Sequence, residues 1–368
     1  MLIQPFKLER YFAKYEFSAR YLLCSSDCES LSVGDLLALE PGAEEAMRRH
    51  WLGYTESPGA PSLRKEITRI YTSITPEEVL VFSGAEEAIF LFILAELKAG
   101  DHLIVHWPCY QSLFEVAKGM GVDVTLWVAR EENDWQLDLD DLKRLVRPET
   151  RAIIVNTPHN PTGYLMPRSD FDELNRIALE RGLVLFCDEV YRELEYDPTD
   201  RLPAACDVNP GAVSLGVMSK TYGLAGLRIG WIATHRAEIL DRLATLKDYT
   251  TICNSAPSEF LSEIALRHRE EIAGRNLQII RQNLSLLDDF FSRHANRFEW
   301  IRPKAGPIAF PKLLAGDIDV FCDELVNESG VLLLPGTLYD HPGNHFRIGF
   351  ARKNMPEALA RLEKYLDN

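Results

Sequence analysis

Four polar motifs in this chain each stand directly after a run of mostly apolar residues. In an open parallel sheet, ligands bind beyond the carboxyl ends of the strands, so residues that follow strands are where chemistry should gather. We therefore expect the four motifs to meet in one crevice. They are Ser83-Gly84-Ala85-Glu86, Asn156-Thr157-Pro158-His159-Asn160-Pro161-Thr162-Gly163, Asp188-Glu189-Val190-Tyr191 and Ser219-Lys220.

Lys220 is the residue best suited to covalent chemistry. It stands among small and apolar residues, and desolvation makes a lysine less basic, which suits Schiff-base formation. Three glycines follow within ten residues and would let a cofactor approach the backbone, while Arg228 could clamp a phosphate. An exposed lysine and arginine are the ordinary alternative, but this spacing argues against it.

The other motifs are less specific when each is taken alone. A carboxylate at the end of a buried strand, such as Asp188, needs a cationic partner, although a helix N-cap is a competing interpretation. The small residues Gly84 and Ala85 could close backbone N–H groups around an anion at a helix N-terminus, but a tight turn explains them equally well. Asn160 lies between two prolines, which fix the backbone that presents its amide.

Together the motifs match the needs of a pyridine aldehyde cofactor, pyridoxal 5′-phosphate. Its ring nitrogen must stay protonated, which requires a buried acid, and Asp188 fits this requirement. The ring oxygen needs donors, which Asn160 and Tyr191 offer, and an aromatic side chain such as Tyr110 could cover the ring face. The phosphate needs a helix end and an arginine. Candidates for that role are Gly84, Ala85, Glu86, Ser219 and Arg228.

These motifs, in this order and spacing, resemble the class I/II aminotransferases of the fold-type I pyridoxal-phosphate enzymes, from about Tyr54 to Arg347. The resemblance implies that Lys220 binds the cofactor as a Schiff base, with Asp188 and Tyr191 as its catalytic neighbours. It also implies that Arg347, with Asn160, binds the substrate α-carboxylate. The implied reaction moves an amino group from a free L-amino acid to a 2-oxo acid. Tyr54 resembles the tyrosine that reaches the phosphate of the neighbouring subunit, so a homodimer with shared sites is implied.

At three places the sequence departs from the family pattern, which limits how far the family's residue roles apply to this chain. Val217 stands where the family often has a phosphate-binding serine, and Cys24-Ser25-Ser26-Asp27-Cys28-Glu29 replaces the usual Gly-x-Pro lid. The run Gly306-Pro307-Ile308-Ala309-Phe310-Pro311 offers no second arginine, which disfavours aspartate or glutamate as the donor.

The elements that must position these residues alternate along the chain. Apolar runs covered on both faces predict parallel strands with right-handed helical crossovers, and hence an α/β fold with a doubly wound, mostly parallel sheet. We expect residues 36–255 to form a large cofactor-binding domain. Residues 256–368, joined by the N-terminal segment 1–35, would form a smaller α+β domain. Strands are predicted at Val79–Phe82, His102–His106, Asp123–Trp127, Ala152–Asn156, Leu183–Cys187 and Ala212–Val217, and one long charged helical stretch at Glu259–Arg293.

Composition limits the partners. The formal charge of −15 argues against nucleic acid and anionic membranes, because a negative field repels polyanions. The first ten residues lack a signal-peptide pattern, and the longest apolar stretch, Ala88–Leu97, is too short to span a bilayer. Seven scattered cysteines indicate free thiols in a reducing compartment. We expect a cytoplasmic enzyme without a metal site.

Two alternatives stay open. The same cofactor could serve elimination, replacement or cyclisation, and the N-terminal departure resembles capreomycidine-synthase-like enzymes that act on arginine derivatives. Asp27 and Glu29 could then hold a cationic side chain, although two acids on an exposed loop are an equally good interpretation. A non-catalytic effector-binding module is the other alternative. It normally carries a DNA-binding segment, for which we expect no room before Tyr54, and the presence of Lys220 with Arg347 favours chemistry.

Overall fold

The computed structural model describes residues 2–367 and contains a seven-stranded central sheet. The strand order is β2-β8-β7-β6-β5-β3-β4, with every neighbouring pair parallel except those made by β8. The six predicted strands are all present in this sheet, each with ends within two residues of the prediction. The strands of the sheet are β2 (Val79–Phe82), β3 (His102–Trp107), β4 (Asp123–Val128), β5 (Thr150–Asn156), β6 (Val184–Asp188), β7 (Ala212–Val217) and β8 (Gly230–Ala233).

Helices cover both faces of this sheet, because its strands are apolar on both sides. Strands β2, β3 and β7 are buried at every residue, as the unbroken apolar runs predict. This confirms the predicted α/β, doubly wound, mostly parallel architecture. The helices of this part are α4 (Pro61–Thr68), α5 (Ala85–Glu96), α6 (Ser112–Gly119), α7 (Leu139–Leu145), α8 (Arg168–Glu180), α9 (Ala205–Val208) and α10 (Ala237–Lys247).

Strand β8 runs antiparallel to both of its neighbours and is absent from the sequence prediction. It has only four residues and follows a glycine-rich loop, so it carries little periodic signal. The predicted helical stretch Glu259–Arg293 is wrong as a single element. It consists of α11 (Ala256–Arg267) and α12 (Arg269–Arg293), which meet at His268, where the backbone leaves helical geometry.

The N-terminal segment joins the C-terminal part of the chain through a short parallel pair, β1 with β12. A three-stranded antiparallel sheet in the order β10-β14-β13 lies in the same part, beside the pair β9 and β11. The division at residues 35 and 255 stays a prediction, and its outermost residues, 1 and 368, lie outside the described range. The remaining strands are β1 (Tyr21–Leu22), β9 (Phe298–Glu299), β10 (Ile308–Ala309), β11 (Lys312–Leu313), β12 (Val331–Leu332), β13 (Leu334–Pro335) and β14 (Phe346–Gly349).

Five further α-helices complete the described fold. Between residues 2 and 367, none of the helices has the length and apolar character that crossing a bilayer requires. They are α1 (Lys7–Tyr15), α2 (Val33–Leu37), α3 (Ala43–Arg48), α13 (Ile318–Ser329) and α14 (Met355–Leu366).

Candidate active site

A cavity of about 370 Å³ lies at the carboxyl ends of β5, β6 and β7, beside the start of α5. Ten of the twelve predicted site residues line it, so the structure brings the four motifs together as expected. Gly84 lies just outside the lining and begins α5, whereas Tyr54 lies on the surface with 84% of its area exposed. The ten lining residues are Ala85, Glu86, Tyr110, Asn160, Asp188, Tyr191, Ser219, Lys220, Arg228 and Arg347.

Lys220 follows β7 and presents its amine to this cavity. Its Nζ donates a hydrogen bond to Ser26 Oγ at 2.9 Å. Burial lowers the pKa of Lys220 below its ordinary value, and the nearby Asp27 carboxylate opposes that effect. A less basic amine is a better nucleophile near neutral pH, which is the property that Schiff-base formation needs.

Asp188 ends β6 with its carboxyl buried in the cavity floor. The carboxyl accepts one backbone hydrogen bond, from the N–H of Val190 at 3.2 Å. Burial raises the pKa of Asp188 to about 7, while this N–H and the Lys220 amine oppose the shift. Within residues 2–367 this acid forms no ion pair, so its charged form is only weakly compensated.

Arg347 lies on β14 and is fixed by three contacts. Its Nε donates to the carbonyl of Cys24 at 3.0 Å, and its Nη1 donates to Asn160 Oδ1 at 3.2 Å and to Tyr339 Oη at 2.6 Å. Tyr339 in turn donates to Asn160 Oδ1 at 3.1 Å. Among residues 2–367 no carboxylate lies within ion-pairing distance of this buried guanidinium. Its charge is thus available to an anion in the cavity.

Tyr191 is the clearest polar group that still lacks a partner. Its hydroxyl is buried in the cavity lining and makes no hydrogen bond of normal geometry within the described chain, although the Ser26 hydroxyl lies close enough to oppose the rise in pKa of Tyr191 that burial causes. Buried hydroxyls are almost always hydrogen-bonded, so this one indicates a ligand oxygen or nitrogen in the cavity.

The end of the cavity that is predicted to hold a phosphate depends on two glycines. Gly84 has φ +86°, and a Cβ there would lie 2.6 Å from Arg228 Nη2. A Cβ on Gly230 would lie 2.7 Å from the carbonyl carbon of Gly84. Only glycines let Arg228 and the N-terminus of α5 approach this closely, and a helix N-terminus beside an arginine is suited to a phosphate. Val217 is buried in the sheet and offers no hydroxyl here.

Several lining residues were not among the twelve predicted site residues. Ser25, Ser26 and Asp27 form one wall, and Glu9, Phe12 and Glu16 of the α1 region form another. Of Asp27 and Glu29, the two acids that one alternative interpretation placed around a cationic side chain, only Asp27 lines the cavity. Arg352 binds both Asp27 oxygens, at 2.8 and 2.9 Å, and Glu29 accepts the backbone N–H of Lys353, away from the cavity lining.

Comparison with known proteins places this fold and site in a family. The model of the family "Aminotransferase class I and II" matches residues 22–362. The chain belongs to the class I and II aminotransferases. A pyridoxal-phosphate-dependent aminotransferase from Streptococcus suis has a solved structure that superposes with a TM-score of 0.94 at 33% identity, covering 100% of this chain and 98% of that one.

Relatives of this class I/II family member carry different activities. Capreomycidine synthase from Streptomyces vinaceus is 28% identical over 365 residues, 98% of this chain and 93% of that protein. An aspartate aminotransferase from Thermotoga maritima is 28% identical over 357 residues, 93% of this chain and 92% of that protein. The chain is therefore an enzyme that depends on pyridoxal 5′-phosphate, either an aminotransferase or a related fold-type I enzyme.

The side chains in the cavity fit this cofactor. The unpartnered Tyr191 hydroxyl could donate to a ring oxygen, and the buried Asp188 carboxyl lacks the close cation that a protonated pyridine nitrogen would supply. Arg228 and the start of α5 suit its phosphate, and the partly buried Lys220 amine suits its aldehyde.

Proposed function

We propose that the enzyme transfers the amino group of a free L-amino acid to a 2-oxo acid. One observation carries this proposal: the Lys220 amine and the buried Arg347 guanidinium face the same cavity, and Arg347 has no carboxylate partner within residues 2–367. An amino acid supplies the missing carboxylate and places its α-carbon between Arg347 and Lys220. Comparison with aminotransferases supports this class of reaction.

Different polar groups of the cavity would bind different parts of the substrate and the cofactor. Arg347 would bind the substrate α-carboxylate, held in place by Asn160 and Tyr339. Asp188 would hold the proton on the ring nitrogen of the cofactor, and Tyr191 would donate to its ring oxygen. Tyr110 would cover the ring face, since it lines the cavity and is anchored through Tyr110 Oη to Glu9 Oε1 at 2.9 Å.

Lys220 would then act twice. When bound, the cofactor supplies an electron sink that makes the α-proton of an amino acid removable. The Lys220 amine would hold the cofactor before the donor arrives, and once released it would take the proton from the substrate α-carbon at Nζ. Burial supports this second task, because the lowered pKa of Lys220 leaves more of the amine unprotonated.

A spectroscopic half-reaction tests this proposal. Purified enzyme is mixed with single amino acids, without any oxo acid, while the cofactor absorbance is followed and the products are identified by mass spectrometry. We expect stoichiometric conversion of one donor into its 2-oxo acid, and no conversion by Lys220→Ala. Borohydride reduction followed by peptide mapping should find the cofactor on Lys220. An unlabelled Lys220, or products other than the oxo acid, would contradict the proposal.

A second candidate function is elimination, replacement or cyclisation of an amino acid that has a cationic side chain. An acidic wall favours it, formed by Glu9 and Glu16 of the α1 region. Asp27 lies on the other wall and is paired with Arg352, whereas Glu16 forms no ion pair within the described residues. Burial and the nearby carboxylates of Glu9 and Asp27 raise the pKa of Glu16. A guanidinium or ammonium group would relieve that repulsion. The similarity to capreomycidine synthase supports this candidate.

Two substrates of equal length separate the candidates. L-Arginine and L-citrulline differ at the end of the side chain, where only arginine is charged. If the acidic wall selects a cation, arginine should react at least about tenfold faster, since a charged hydrogen bond contributes about 1.5–3 kcal/mol. Glu16→Gln should reduce that preference. Equal rates, or a 2-oxo acid as the sole product, would remove this candidate.

A further inference from the structure

We propose that Ser26 is a positioning residue, whose hydroxyl holds the free amine of Lys220 while that amine accepts the substrate α-proton. This inference rests on the proposed role of Lys220. The contact that carries it is direct: Lys220 Nζ donates to Ser26 Oγ at 2.9 Å across 194 positions of sequence. Ser26 also lines the cavity, so its hydroxyl faces the reacting atoms.

Hydrogen bonds fix the backbone on both sides of Ser26. Before it, Leu23 accepts the N–H of Gly349 at 2.9 Å, and Cys24 accepts Arg347 Nε at 3.0 Å. After it, the N–H of Glu29 donates to the carbonyl of Ala351 at 2.9 Å. Strand β14 and the residues just after it thus hold residues 23–29 from both ends. A side chain in a segment fixed in this way keeps its position with little loss of entropy.

Two glycines allow this close approach. A Cβ on Gly349 would lie 2.0 Å from the carbonyl oxygen of Ser25, and a Cβ on Gly223 would lie 2.7 Å from that of Glu29. Gly223 belongs to the same loop as Lys220, so the serine segment is packed directly against the lysine loop. Backbone packing therefore places the serine segment within reach of the Lys220 amine.

The hydroxyl suits a lysine that acts as a base. A neutral amine that donates one N–H to Ser26 Oγ keeps its lone pair for the proton on the substrate α-carbon. After the transfer, the ammonium still donates to the same oxygen, so the hydroxyl stabilises the product of the step more than the reactant. One C–H bond breaks and one N–H bond forms, while Ser26 keeps its own proton.

Charged groups on several other elements also face Lys220. The carboxylates of Asp27, Asp188, Glu9, Glu16 and Glu86 favour its ammonium form, whereas Arg347 disfavours it. Removal of the Ser26 hydroxyl leaves all of these groups in place. Because that hydroxyl accepts a hydrogen bond from the charged form, its loss should lower the pKa of the Lys220 amine.

The test measures this amine directly. The full chain, freed of cofactor, is labelled with acetic anhydride at a series of pH values, and acetylation of Lys220 is quantified by mass spectrometry. Ser26→Ala and Ser26→Gly should lower the midpoint pH of Lys220 labelling by about half a unit to one unit. Ser26→Thr, which keeps the hydroxyl, should retain the wild-type midpoint. The matched control is Ser30→Ala, an exposed serine of the neighbouring segment.

Kinetics of the holoenzyme supply the second measurement. With the donor that gives the largest absorbance change, Ser26→Ala should lower kcat about tenfold with KM nearly unchanged, since acid–base positioning acts on the chemical step. Unchanged midpoints in both hydroxyl-free variants, or an unchanged kcat, would overturn the assignment of Ser26. Absence of a borohydride-trapped cofactor on wild-type Lys220 would instead overturn the proposed function.

Discussion

Asp188 illustrates at the scale of one residue how a site can be built at the expense of stability. Burial raises the pKa of this carboxyl from its ordinary 3.8 to about 7. Between pH 3.8 and about pH 7, the folded cofactor-free protein therefore keeps a proton on Asp188, whereas the unfolded chain has already released it. The free energy of unfolding is therefore larger at low pH and falls as the pH rises from about 4 to above 7.

Asp188→Asn should remove this loss of stability at high pH. The amide cannot ionise, so the cofactor-free variant should be more stable than the wild type above pH 7, by on the order of a few kcal/mol at most. The difference should shrink toward pH 4, while affinity for the cofactor falls. Denaturant unfolding of both proteins at several pH values measures this. Asp289→Asn, an exposed position on α12, should show no such trend, and a constant difference between the two proteins at every pH would contradict the prediction.

Arg347→Lys should weaken binding of the substrate carboxylate without weakening binding of the substrate amine. Lysine cannot reproduce the three hydrogen bonds to Cys24, Asn160 and Tyr339, so both the position of the charge and the cavity wall change. We expect kcat/KM for the amino acid donor to fall about 100-fold, as is typical when a buried charged hydrogen-bond partner is lost.

A donor without a carboxylate provides the control for Arg347. The corresponding primary amine should react slowly with both proteins and with similar rate constants. If Arg347→Lys slows the amine as much as the amino acid, Arg347 does not bind the carboxylate.

A functional residue can be predicted from the sequence only when a local motif marks it. Lys220, Asp188 and Asn160 each stand in a short motif that follows a strand, so their meeting in one cavity follows from the topology of a parallel sheet. Ser26 and Tyr339 carry no such signal. Their roles depend on contacts across more than 150 positions, with Lys220 and Asn160, and no local pattern encodes those contacts.

At the scale of elements, β14 and residues 23–29 together set the shape of the cavity. Gly349→Ala should disrupt this pair, because a Cβ would lie 2.0 Å from the backbone oxygen of Ser25 and neither partner is a flexible side chain. We expect a loss of roughly 1–3 kcal/mol of unfolding free energy, the usual cost of overpacking, together with weaker substrate binding through the displaced Arg347. Denaturant unfolding and KM of the holoenzyme measure the two effects.

Gly274→Ala is the matched control for that substitution. Gly274 is exposed on α12, and nothing lies within 4 Å of a Cβ built there. Alanine should therefore stabilise the helix by about 0.5–1 kcal/mol. Equal effects of the two substitutions would show that the contact with Ser25 is relaxed in solution.

The elements also show why part of the fold escaped the sequence prediction. Long apolar runs such as β3 and β7 are buried along their whole length and are therefore conspicuous. Strands β1 and β12 have two residues each and form only because these two distant segments pair with each other. The break at His268 lies inside a continuous charged helical pattern, so tertiary packing sets it and not propensity.

At the scale of the whole molecule, an exposed apolar surface indicates an interface. Trp51, Leu52, Tyr54 and Tyr249 are each at least 77% exposed. The two segments that carry them are joined, since Thr55 Oγ1 donates to the carbonyl of Asn254 at 3.4 Å. Apolar surface of this kind usually marks a binding site for another protein chain.

This apolar surface borders the phosphate end of the cavity. The hydroxyls of Thr250 and Thr251 donate to Glu87 on the first turn of α5, at 2.6 and 2.8 Å. A second copy of the chain that covered the surface would thus lie close to the phosphate site. We propose that the copies pair here and that Tyr54 of each reaches the cofactor phosphate of the other.

A mixture of two damaged chains tests this shared site. Lys220→Ala and Tyr54→Ala homodimers should each have little activity, but in a mixed dimer one of the two sites combines an intact lysine with an intact tyrosine. A statistical mixture made by refolding or co-expression of equal amounts should therefore recover about a quarter of wild-type activity, since random pairing makes half of the dimers mixed and each mixed dimer has one intact site of two. Lys220→Ala mixed with Asp188→Ala is the control, because both residues line the cavity of their own chain and mixing should restore nothing. Recovery in that control, or none in the Lys220 and Tyr54 mixture, would show that Tyr54 does not serve the neighbouring site.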